Sequence, residues 1–86
     1  MHDDSNFEYE RLGPEQRAQI IERRLQQYEA EHFEHSLNRK ALEQATDLAA
    51  EEKVRQLAQI DTALENLKRS IELHRVELDR LLAGDA

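Results

Sequence analysis

Leu57, Leu64, Ile71 and Leu78 stand seven residues apart, and Ile60, Leu67, His74 and Leu81 repeat that interval three positions later. This is the a/d pattern of a heptad sustained over four repeats, with His74 the one polar residue among eight positions. Such a stripe predicts one long helix with an apolar seam along it. A lone helix leaves the seam in water, so the pattern demands another helix to cover it. These eight residues are therefore the expected oligomer interface.

Little else in the chain competes with a helical fold. The 86 residues include two Gly and one Pro, too few to punctuate a sheet, and 36% are charged, which suits long helices. There is no cysteine, so no disulfide framework and no thiolate metal site. No apolar run exceeds three residues, which excludes a transmembrane helix and the apolar core of a signal peptide. A cytoplasmic protein is expected.

The net charge of −7 is unevenly spread: residues 1–36 hold nine acids and four bases, whereas residues 54–82 hold five of each. Binding of nucleic acid needs a basic stripe to neutralise phosphates, and Arg23-Arg24 and Arg39-Lys40 are only isolated pairs. A membrane-surface helix needs a basic polar face, and the polar faces here are acidic or mixed. The acid reads either as solvation of an exposed face or as a surface aimed at a basic partner.

Residues 1–13 read as an arm. Ser5 and Glu8 have capping-box spacing for a short helix that Gly13 would end, and Phe7, Tyr9 and Leu12 are its sizeable apolar groups after Met1. The helical domain is placed at 14–83, with 84–86 as a tail. Pro14 suits a first helical position, where its missing N–H costs nothing, and Glu15 complements the positive end of the helix dipole. Gly84 suits the position just past a helix end.

The first helix is less regular. Ile21, Leu25 and Tyr28 start an apolar face, but the next residues in that frame are His32, His35 and Arg39, before Leu42 rejoins it. An apolar line one position over, through Phe33, Leu37, Ala41, Ala45 and Leu48, predicts a slip of the face after Tyr28. Thr46 or Asp47, with Glu51 and Glu52 following, marks the best helix break, and Asn38 a weaker one. The expected fold is all-α: an antiparallel helical hairpin, about 14–46 and 48–82, that dimerises into a four-helix, coiled-coil-like bundle. Its rival is one continuous helix in a coiled coil, since Ala49–Lys53 has strong helix propensity. In the second helix Ala63 and Ser70 at the g positions let another backbone approach, which favours a bundle, and Leu73 with Val76 forms a second, minor apolar patch.

For chemistry, the one cluster with suitable donors is Glu29, His32 and His35. Their i,i+3 spacing puts imidazoles and a carboxylate on one helix face, as in helix-bundle metal sites. A turn near residue 47 sets His32 across from Leu64 and His35 across from Asp61, with Asp61 or Glu65 as a further carboxylate. Against this stands the simpler reading, in which His32, His35 and Arg39 fix helix register at some cost in stability or remain wet. His74 at a core position makes association sensitive to pH near 6 if it is buried. There is no Gly-rich phosphate loop and no nucleophile motif, and no catalytic residue or cofactor is assigned. The expected function is non-enzymatic, an interaction or scaffolding protein acting through self-association, most simply as a dimer, and through partner-helix binding. An acidic regulator presenting its first helix to a basic surface is the alternative, and a four-helix metal site on Glu29 and His32 the second.

Overall fold

The computed structural model describes residues 12–84. They form two helices, α1 from Pro14–Gln44 and α2 from Ala50–Leu82, packed against each other as a hairpin. Residues 1–11, including the Ser5–Glu8 capping box, Phe7 and Tyr9, lie outside the described residues, as do Asp85 and Ala86.

Each helix end has a local cause. Gly13 caps α1 with extended backbone and Pro14 takes the first helical position. The Gln16 side chain reaches back to accept the Gly13 N–H at 3.0 Å, satisfying one donor at the helix start. At the other end of the hairpin, Ala83 donates to the Asp79 carbonyl at 2.9 Å, and Gly84 follows with φ of 80° and its N–H on the Leu81 carbonyl at 3.1 Å. That left-handed conformation is open to glycine at little cost, so the helix stops there.

The break near residue 47 occurs, but neither Thr46 nor Asp47 caps α2, and α1 runs unbroken through Asn38. The N-cap is Ala49, extended and without a side-chain hydrogen bond. Glu51 and Glu52 lie in the first turn, where carboxylates oppose the positive end of the helix dipole. The Lys53 ammonium donates to the Ala45 carbonyl at 3.0 Å, taking up an acceptor at the end of α1. Ala45 and Ala49, at the two ends of the connector, are extended, and the chain bends at residues 47–48 between them.

The register also differs from expectation. Asp61, expected across from His35, pairs with Arg39, one turn nearer the connector. His32, expected across from Leu64, shares a groove with Lys68 and Ile71 instead.

The packed face of α1 also differs from expectation. Ala18 and Leu25 are buried, and Ile21, Tyr28, His32, His35, Arg39 and Leu42 are half-buried. These eight residues follow an unbroken a/d frame. The predicted slip to the Phe33 line does not occur: Phe33 is 62% exposed, Leu37 49%, and Ala41 is exposed as well. The reason is the partner. The seam of α2 keeps a strict seven-residue interval, so α1 stays in contact only by keeping the same interval, whatever side chains fall on it. On α2, Ile71 and Leu81 are buried and the other six seam residues are half-buried.

Candidate functional site

The middle of the seam is its polar part. Moving from the open end toward the connector, Tyr28 meets His74 edge-to-face with ring centroids 5.0 Å apart. The His74 Nδ1 lies 2.7 Å from the Ser70 carbonyl oxygen. A carbonyl only accepts, so Nδ1 carries the proton and Nε2 is left for the seam. His32 and His35 follow, then Arg39.

Arg39 has a distinct role. Its Nε and Nη2 donate to the two Asp61 carboxylate oxygens at 2.6 and 3.2 Å, and its Nη1 donates to Glu43. Glu43 and Asp61 occupy edge positions flanking the seam from opposite helices, so without a cation two carboxylates would face each other there. The hydrogen bonds from Arg39 hold the Asp61 carboxyl below its ordinary range, against a smaller opposing push from desolvation. Asp61, with Glu43 adding a smaller share, raises the Arg39 pKa further above its already high value. On the same edge Glu29 accepts a hydrogen bond from Arg75, the second ion pair that ties α1 to α2. At the start of α2, Arg55 and Gln56 both donate to Glu52 and lower its pKa.

These pairings decide what the Glu29, His32 and His35 cluster meets within one chain. Glu29 is engaged by Arg75, Asp61 by Arg39, and Glu65 lies 3.8 Å from Arg69. The groove beside His32 is lined by Glu29, Glu72 and Ile71 but also by Lys68 and Arg75, whose charges oppose a bound cation. No three His, Cys, Asp or Glu side chains come together among the described residues in a geometry that holds a metal ion.

A second groove, of about 420 Å³, opens on the opposite long side of the hairpin. Ile20, Ile21, Leu73 and Leu81 give it an apolar floor, and Arg17, Arg24 and Glu77 stand around it. Leu73 is 69% exposed. Leu73 stood out in the amino-acid sequence as part of a minor apolar patch and Arg24 only as half of an isolated basic pair, whereas Ile20 did not stand out. Ile20 and Arg24 stand beside the Ile21–Leu25 face rather than on it, and a register not legible in the amino acids decides what they meet. The Arg39–Asp61 pair was hidden by the register in the same way, although Glu43 at i+4 from Arg39 signalled half of it.

No protein-family model matches this chain, and neither a curated protein nor a solved structure is significantly similar to it. No helix among the described residues is long and apolar enough to cross a membrane.

Proposed function

We propose that this chain is a non-enzymatic interaction module that acts by self-association into a two-copy, four-helix bundle and by holding a partner helix. The observation that carries this reading is the imbalance of its apolar surface. Among the described residues four apolar side chains are buried, while Phe33, Leu37, Val54, Leu73, Val76 and Leu82 are 49–69% exposed. Two helices cover only one stripe of each other, and a second layer is the ordinary way to cover part of the rest, Leu73 above all. Small side chains at Ala63 and Ser70 beside the seam leave room for that layer.

The acidic-regulator reading has weaker support. Within its observed bounds α1 holds six acids and five bases, and two of those acids, Glu29 and Glu43, are paired. Residues 1–13, with four acids and one base, carry more of the excess than α1 does. A metal site between copies requires Glu29 to leave Arg75, and metal analysis of untagged protein tests it directly.

Light scattering across micromolar concentrations tests the central reading. The expected mass is twice the 10.1 kDa of the chain. A single-chain mass at every concentration contradicts it. Replacing Leu64 and Ile71 together with Asp is expected to abolish helix and assembly together, because both lie on the seam that joins α1 to α2.

A further inference from the structure

The two long sides of the hairpin differ in how their charges are answered. On one side Glu29–Arg75 and Arg39–Asp61 close between the helices. On the groove side α1 presents Arg17, Arg24, Glu31 and Glu34, and none of these has an ion-pair partner among the described residues. Among the described residues Arg24 donates only to the neutral Tyr28 hydroxyl, at 3.3 Å. Their order matters. Two cations lie toward the open end and two carboxylates toward the middle, so this side complements itself when laid antiparallel against a copy.

We propose that the groove side binds a second copy of this chain, α1 running antiparallel to α1 of the partner subunit, with Arg24 of each copy paired to Glu31 and Glu34 of the partner subunit. This rests on the self-association proposed above and assigns its surface. A two-fold axis near Gln27 meets the pairing from both directions. Since Tyr28 stands opposite His74, Leu73 lies close to that axis, and the two exposed Leu73 side chains meet at the centre with the ion pairs flanking them. A parallel arrangement of the two α1 helices sets Arg24 against Arg24 and Glu31 against Glu31. The area is adequate: a face about 45 Å long and about 20 Å wide buries roughly 900 Å² per copy, or about 1,800 Å² in all, inside the usual range for a stable dimer.

Charge exchange tests the pairing, with mass read by light scattering and helicity by circular dichroism. Arg24→Glu alone, and Glu31→Arg with Glu34→Arg alone, are each expected to weaken self-association by a factor of about 100 or more and to keep wild-type helicity. An equimolar mixture of the two variants is expected to recover the two-chain mass, because each interface then joins opposite charges. Leu73→Glu is expected to dissociate the wild-type assembly. If wild type is a two-chain species and the variants remain so, this face is not the interface, although self-association stands. If the variants dissociate and the mixture fails to recover, the pairing is wrong. If wild type is a single chain throughout, both the face and the self-association are wrong, and the groove belongs to another occupant.

Discussion

Arg39 stands where a leucine would add most to the seam, and it joins two carboxylates instead. Its stem covers apolar surface while the guanidinium reaches the edge, where it answers Asp61 and Glu43 together. Because the Asp61 pKa is depressed in the folded chain, the stability this pair contributes is present above the unfolded carboxylate value of about 3.9. It is lost as the pH falls through the lower, folded value. Arg39→Gln is therefore expected to lower the urea midpoint at pH 7, and its deficit against wild type is expected to shrink below about pH 4. A deficit that stays constant from pH 7 to pH 3 would mean that Arg39 acts through packing alone. His32 and His35 are seam residues of a different kind, half-buried and without a carboxylate hydrogen bond among the described residues. Replacing either with Leu is expected to stabilise the hairpin by about 1 kcal/mol, the scale of partly burying such a side chain. Thermal unfolding measures the gain, and a loss of stability would show that the imidazoles make contacts a leucine cannot replace.

At the scale of the helix, the frame of α1 makes opposite demands on neighbouring apolar residues. Leu25 is 8% exposed, so Leu25→Ala is expected to cost about 2–4 kcal/mol in chemical denaturation. Phe33→Glu and Leu37→Lys lie outside the seam and are expected to change stability by less than about 0.5 kcal/mol each. A large loss at Phe33 would restore the slipped face. The start of α2 offers the converse test: Ala49 caps it with no side-chain acceptor, and Ala49→Asp is expected to add about 1 kcal/mol. The same two helices show what was legible in the amino acids. The α2 seam could be read directly because seven of its eight positions are apolar. The α1 face could not, because its middle is His32, His35 and Arg39, and a local search for apolar spacing follows Phe33 and Leu37 away from the true contact. What fixes α1 is the periodicity of α2, a non-local constraint. Pro14 and Gly84 were legible for the opposite reason, since each acts through its own backbone.

For the whole molecule, the hairpin itself was readable from the matched helix lengths and the break near residue 47, but its register was not. The five-residue connector allows α2 to sit at more than one height along α1 without changing any pattern in either helix, and that height decides which charges meet. It sets Asp61 beside Arg39 and leaves Arg24, Glu31 and Glu34 without ion-pair partners among the described residues. The proposed assembly is thus a consequence of five connecting residues, 45–49, as much as of the seam. Small-angle scattering on an absolute scale tests this account most directly, because it returns mass and longest dimension together. The hairpin has a longest extent of 54 Å between Cα atoms. A two-copy bundle of hairpins has twice the 10.1 kDa chain mass and a longest dimension near that extent plus side chains, about 60 Å. A rod of about 100 Å, the length of one helix running unbroken through the connector, would contradict the hairpin and everything built on its register.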